Sequence, residues 1–247
     1  MATVSKTLLE VDPDYDYQIA YPTSDGRPMG ETDVHRQDMF DLIESLKLFY
    51  TGQRVYVSGN LLICYKPGSK RKHVAPDVFV VKGVDPHPRK NYILWEEGKG
   101  PNVVIEVTSE STKEEDLDDK YELYRDVLKV HEYFLFDPRS EFLNPPLQGY
   151  RLVDGQYVRI EPVNGRLPSE ELGLHLEQDG DELRLWNPKT GAWIPTPEEA
   201  RQQAEQARKQ ADQAREQEVQ ARIRAEAEIE RLKKEIESLR RNKSESE

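Results

Sequence analysis

The sequence has a single cysteine in 247 residues, Cys64. That excludes an internal disulfide framework and any multi-cysteine metal centre. Its surroundings, Leu61-Leu62-Ile63-Cys64-Tyr65, are the longest apolar run in the chain, so the thiol reads as a core side chain. The run is far shorter than the ~20 residues of a membrane-spanning helix, and Met1 to Gln18 lacks the apolar segment after a basic start that marks a signal peptide. The expectation is a cytoplasmic protein with no membrane partner. A basic excess is missing as well, since 35 Lys and Arg stand against 47 Asp and Glu, a formal net charge of −12. This balance excludes a protein that coats nucleic acid through its overall charge. It does not exclude a nuclease, which needs only a local basic surface.

Glycine, proline and aromatic residues are absent from 198–247, beyond the Pro195-Thr196-Pro197 punctuation. Ala, Glu, Gln, Arg and Lys dominate there, which predicts one long helix over 198–243. Ala204, Ala207, Ala211, Ala214, Glu218, Ala221 and Ala225 alternate by three and four, the spacing of a coiled-coil seam. After a one-residue skip, Ile229, Leu232, Ile236 and Leu239 resume it with larger side chains. Association through this helix is expected, as a homo-oligomer or with a coiled-coil partner; a solvated helix laced with i,i+4 ion pairs is the competing reading. With 13 acidic and 12 basic residues the tail is nearly neutral, which leaves −11 on residues 1–197.

Residues 1–30 are polar and turn-rich. Asp12, Asp14 and Asp16 alternate there, but a calcium loop would need a glycine and a downstream glutamate in register, so they read as a solvated acidic lead-in. A domain is expected over 31–195. Its first helix starts at Thr32 or Asp33 and carries the stripe Val34, Met39, Leu42, Ile43, Leu46 and Phe49. Strand-like runs follow at 54–58, 61–65, 78–81 and 102–107, then a helix over 112–127 and a buried strand at Tyr133-Phe134-Leu135-Phe136. Hairpins are predicted around Asp154-Gly155 and around Lys189-Thr190-Gly191. This order implies an α/β domain with a mixed β-sheet flanked by helices, with added β-hairpins.

Glu106 is the most informative residue. It interrupts Val103-Val104-Ile105-Glu106-Val107, which otherwise reads as a strand buried on both faces. An ionised carboxylate there costs several kcal/mol unless it is paired, hydrogen-bonded or metal-bound. Asp77 opens the strand Val78-Phe79-Val80-Val81 directly after Pro76. Two carboxylates converging from adjacent strands repel each other, and Mg2+ or Mn2+ is the type of cation that oxygen ligands of this kind suit. Lys120 follows Leu117 by three residues and precedes Tyr124 by four, so it borders the buried stripe Leu117, Tyr121, Tyr124 and Leu128. Its helix opens on two overlapping capping boxes, Ser111 with Glu114 and Thr112 with Glu115. Two acids and a lysine are the minimum set for metal-assisted phosphodiester hydrolysis, with Asp77 and Glu106 as metal ligands and all three residues catalytic.

Several segments resemble the Uma2 family. They are Ala75-Pro76-Asp77-Val78-Phe79-Val80-Val81, Val104-Ile105-Glu106-Val107-Thr108-Ser109, Asp116 through Lys120 to Tyr124, His131 to Pro138, and Leu147 to Leu152. The resemblance covers roughly residues 30–195 and implies a restriction-endonuclease-like fold with a PD-(D/E)xK type site. Asp77 matches the motif's aspartate and Glu106 its second acid. The wider superfamily has a lysine two residues after that acid, where this chain has Thr108, and in the Uma2 pattern the lysine stands in the next helix as Lys120.

Lys66, Lys70, Arg71, Lys72 and His73 cluster ahead of Asp77, with Arg89 and Lys90 after its strand. Lys70, Arg71 and Lys72 are the candidate contacts to a nucleic-acid backbone, DNA being the expected substrate. The five histidines show no zinc-ligand spacing. Two other readings compete with a Mg2+- or Mn2+-dependent endonuclease. One is a catalytically silent nuclease-like fold that binds or assembles through its coiled coil, and the other keeps Glu106 and Lys120 as a structural ion pair.

Overall fold

The computed structural model describes residues 20–24, 32–110 and 112–244, with side chains to residue 236. The alternating Asp12, Asp14 and Asp16 therefore lie outside the described residues, as does Ser111. The chain divides into two compact units, Met1–Thr196 and Pro197–Glu247.

The first unit is built on a six-stranded mixed sheet in the order β1-β4-β6-β7-β8-β9. The strands are β1 (Val55–Ser58), β4 (Val78–Lys82), β6 (Val103–Val107), β7 (Glu132–Phe136), β8 (Leu147–Val153) and β9 (Gln156–Arg159). All neighbours are antiparallel except β6 and β7, which run parallel and pair Glu106 with Leu135. A parallel pair needs a crossover, and the helical segment carrying Lys120 supplies it. Asp154 (φ 49°) and Gly155 (φ 79°) make the tight β8–β9 turn, since both central positions need positive φ.

Alternation along the strands sends side chains to two cores. One face carries Val57, Val78, Val80, Val103, Ile105 and Val107. It is covered by α1 (Asp33–Phe49), through Met39, Leu42 and Leu46, and by a second, antiparallel sheet. That sheet is ordered β10-β11-β12-β13, from β10 (Leu167–Ser169), β11 (Leu174–Asp179), β12 (Glu182–Asn187) and β13 (Ala192–Trp193). The opposite face carries Phe79, Val81, Val104, Tyr133 and Leu135. It packs on the small sheet of β2 (Ile63–Cys64), β3 (His73–Val74) and β5 (Tyr92–Ile93), on α2 (Leu94–Glu97) and on the crossover. Cys64 is buried, and burial pushes its thiol up to about 11, as fits a core side chain.

The expected mixed α/β architecture, both hairpins and the long C-terminal helix are present. Thr32 caps α1 by accepting the His35 N–H at 3.2 Å. The helix expected over 112–127 is instead broken into α3 (Lys113–Leu117), α4 (Asp119–Glu122) and a π-helical turn (Leu123–Val127). The break falls at Asp118, whose ψ of −76° departs from helical geometry, and it leaves Leu117 38% exposed rather than in the buried stripe. Thr112 makes no capping bond from its side chain to this helix; its hydroxyl accepts the Ser109 N–H at 3.1 Å. The second unit is a single helix, α5 (Pro197–Ser244), in which residues 201–236 are all exposed.

Candidate active site

Asp77 and Glu106 share one face of the main sheet, because Val78 stands opposite Ile105 in the antiparallel β4–β6 register. They lock reciprocally. The Asp77 N–H donates to Glu106 Oε2 at 3.2 Å, and the Val107 N–H donates to Asp77 Oδ2 at 2.8 Å. Gly59 makes this approach possible: a Cβ there would lie 1.9 Å from the Asp77 carbonyl oxygen, so only glycine lets the β1–β2 connection pass so close.

The crossover brings the third residue. Lys120 Nζ lies 3.1 Å from Glu106 Oε2 and 2.8 Å from Asp116 Oδ1. One turn further, the Tyr124 hydroxyl donates to Glu106 Oε1 at 2.5 Å from within the π-helical turn. Residues four apart on one segment thus grip both oxygens of the same carboxylate. From the other side of the sheet, α1 delivers His35, with Nε2 3.4 Å from Asp77 Oδ2. The three side chains singled out in the sequence lie together, and His35, Asp116 and Tyr124 join them. Asp116 had a legible signal, since it stands four residues before Lys120 on the same helical face. His35 had a weaker one, a polar residue on the buried side of an amphipathic helix.

The set is dry. Glu106 and Tyr124 are 0% exposed and Asp116 1%. Burial pushes the Glu106 carboxyl well above the usual carboxylate range, with Asp77 and Asp116 adding to the rise and Lys120 opposing it. Asp116 is raised for the same first reason, desolvation, again against the pull of Lys120. Asp77 is also desolvated, yet it is held below the usual range by His35, the Lys120 charge and the Val107 N–H. For Lys120, burial works against the ammonium, but the three carboxylates outweigh it and hold its pKa above the ordinary lysine value.

Three carboxylates against one lysine leave the cluster short of positive charge, and Asp116 Oδ2 accepts no hydrogen bond. Hard oxygen donors with uncompensated charge are what a divalent cation takes up, and Asp77 with Glu106 are the residues that could hold it. No trio of His, Cys, Asp or Glu among the described residues is spaced to hold a metal. A divalent cation here would be held by one or two carboxylates, with water and substrate completing its shell, as magnesium is commonly bound.

Thr108, two residues after Glu106, is buried, and its hydroxyl makes no hydrogen bond. Lys70, Arg71 and Lys72 are exposed on the β2–β3 hairpin. Arg89 does not belong with them. Its side chain is 4% exposed, bonded to Glu97 Oε1 at 2.5 Å and stacked 4.2 Å from the Tyr56 ring centroid.

The family model Uma2, described as "Putative restriction endonuclease", matches residues 9–183, well over half of the chain. The chain belongs to the Uma2 family. Membership places it among nuclease-like proteins, and restriction-endonuclease-like families generally use divalent metals. Among solved structures, it is similar to a protein from Anabaena variabilis described as "a putative nuclease belonging to DUF820". The two are 13% identical, with a TM-score of 0.43, over 61% of this chain and 80% of that one. No curated protein matches. Among the described residues, no helix of this Uma2 chain is long and apolar enough to cross a membrane.

Proposed function

We propose that this Uma2 protein is a Mg2+- or Mn2+-dependent endonuclease that hydrolyses phosphodiester bonds in DNA. The observation that carries the reading is the buried set Asp77, Glu106, Asp116 and Lys120, whose carboxylates outnumber its one lysine. When bound, the cation supplies Lewis acidity to the scissile phosphate and acidifies water. Asp77, held ionised, and Glu106 are its ligands. Lys120 keeps its proton and offsets the charge that builds on the phosphorus oxygens. Tyr124 fixes the Glu106 carboxylate in one orientation, and Lys70, Arg71 and Lys72 contact the backbone of the substrate.

Supercoiled plasmid, incubated with the wild type and each metal, is expected to be cleaved only with metal present. Asp77→Ala and Lys120→Ala should each lower the rate by about 10³-fold, the scale of losing one charged transition-state partner. Equal cleavage by wild type and variants would sink the reading.

A second reading rests on a specific contact pattern: protein donors already occupy both oxygens of Glu106. Under it the domain is a silent binding or assembly module that uses its C-terminal helix. Absence of calorimetric heat at millimolar magnesium, together with an unchanged melting temperature, would favour it over the nuclease.

A further inference from the structure

We propose that the C-terminal helix pairs with a second copy of this chain as a parallel, in-register, two-stranded coiled coil. The inference rests on reading α5 as an association element, and it adds the occupant and its direction. The helix runs 48 residues, about 70 Å at 1.5 Å per residue, and Ile229, Leu232 and Ile236 are 53%, 45% and 50% exposed along it. Those side chains meet one another along one face of the helix, and about half of each stays open to solvent.

The identity of the seam residues selects the strand number. The three-four spacing puts Ala204, Ala211, Glu218, Ala225, Ile229 and Ile236 at a, and Ala207, Ala214, Ala221, Leu232 and Leu239 at d. Isoleucine at a with leucine at d favours two strands in a parallel coil. Two successive steps of four, Ala221 to Ala225 to Ile229, shift the register once, and such a shift locally unwinds the supercoil without ending it. Val219 and Ile223 fall outside the seam, as scattered surface apolar residues do.

The flanking charges select the direction. Every e position is basic: Arg208, Arg215, Arg222, Lys233 and Arg240. Their parallel partners, the g positions five residues earlier, are Gln203, Gln210, Gln217, Glu228 and Glu235. A parallel pair therefore sets Gln or Glu against Arg or Lys at every one of these contacts. An antiparallel pair sets e against e, basic against basic, whatever the overlap. Arg224 precedes the register shift and has no e partner. In the isolated helix Glu228 pairs with Arg231 at 2.7 Å and Arg222 with Glu226 at 2.9 Å, so the interchain pairs largely exchange one exposed ion pair for another. They decide orientation more than affinity. In-register pairing also brings Ile229, Leu232, Ile236 and Leu239 onto themselves, whereas a full-length antiparallel overlap would set them against the alanine half. Both copies of residues 1–196 then join the coil at the same end.

Sedimentation equilibrium of the full chain should give a dimer. Replacing Lys233→Glu together with Arg240→Glu creates like-charge contacts only in the parallel arrangement and should raise the dissociation constant about tenfold or more. Adding Glu228→Lys and Glu235→Lys to the same chain should restore it. Spin labels on Lys234→Cys, in a Cys64→Ala background, should lie about 20 Å apart across a parallel coil, against about 40 Å in a full antiparallel overlap. A monomer overturns both the association reading and the inference. A trimer, or a dimer with the long distance and no effect of the charge reversals, leaves association standing and overturns the parallel two-stranded pair.

Discussion

Two buried glutamates on neighbouring strands have opposite surroundings. Glu106 on β6 and Glu132 on β7 are 0% and 1% exposed. Glu132 Oε1 accepts Arg151 Nε at 3.0 Å, Arg151 Nη2 at 2.9 Å and the Glu170 N–H at 3.0 Å. Its Oε2 accepts the Ser169 hydroxyl and the Glu171 N–H. The Arg151 guanidinium, which also reaches Glu170 Oε1 at 2.7 Å, and three further donors fill the lone pairs of Glu132, which is what a buried carboxylate needs to be held ionised. It ties β7 and β8 to the Ser169–Glu171 turn of the second sheet. Beside Glu106, one ammonium is shared among Asp77, Glu106 and Asp116. Burial of an acid is therefore not what marks the candidate site; uncompensated charge is. The two residues also lie toward opposite ends of the parallel pair, with Glu106 near the carboxyl ends, where open α/β sheets bind ligands.

The largest expected effect comes from breaking the balanced member. Glu132→Ala takes the acceptor from the Ser169 hydroxyl and the Glu170 and Glu171 N–H groups, although Arg151 keeps Glu170, and should cost about 3–5 kcal/mol of stability in chemical denaturation, while the folded fraction keeps its metal-dependent cleavage. Glu106→Gln should do the reverse. Because burial raises the folded-state pKa of Glu106, its contribution is present below the unfolded value and is lost as pH rises toward the folded one. Removing the ionisable group should thus leave the melting temperature at pH 8 unchanged or higher by about 2–4 °C, with cleavage abolished. A melting temperature that falls in Glu106→Gln as far as in Glu132→Ala would make both residues structural.

A change in stability alone, with cleavage untouched, sharpens the contrast with a third acid. Asp38 on α1 is 5% exposed, and burial against β12 pushes its carboxyl up to about 7, with the Leu183 N–H opposing the rise. Raised in the folded state, it favours folding below pH 4 and loses that contribution between about pH 4 and 7. Asp38→Asn should flatten the melting temperature across this window and raise it by roughly 5 °C at pH 8. A profile parallel to that of the wild type would rule out Asp38 as the group responsible.

Much of this was legible in the chain. The α1 stripe and Thr32 cap, the apolar runs of β4, β6 and β7, and the Asp154-Gly155 turn all follow from local periodicity or from φ preference. Glu106 stood out because it interrupts an apolar strand, Asp77 because it opens a strand directly after Pro76, and Lys120 because it borders an apolar helix stripe. Asp118 carries no proline or glycine, yet the crossover breaks there, and the π-helical turn after it aims Tyr124 at Glu106. β10 is three residues long, too short for alternation to show. Glu132 carries no local signal of its role, because its partners, Arg151 and the Ser169–Glu171 turn, are distant in sequence.

The sequence by itself determined most strands and helices of a mixed α/β unit, a separate charged helix, and the burial of Glu106. Periodicity and the cost of desolvation are local properties, and they act wherever those residues occur. Only the tertiary structure decided which buried acid has its counter-charge. Neutralisation depends on where Arg151, Lys120, His35 and Asp116 arrive, and chain folding over long sequence separations sets those positions.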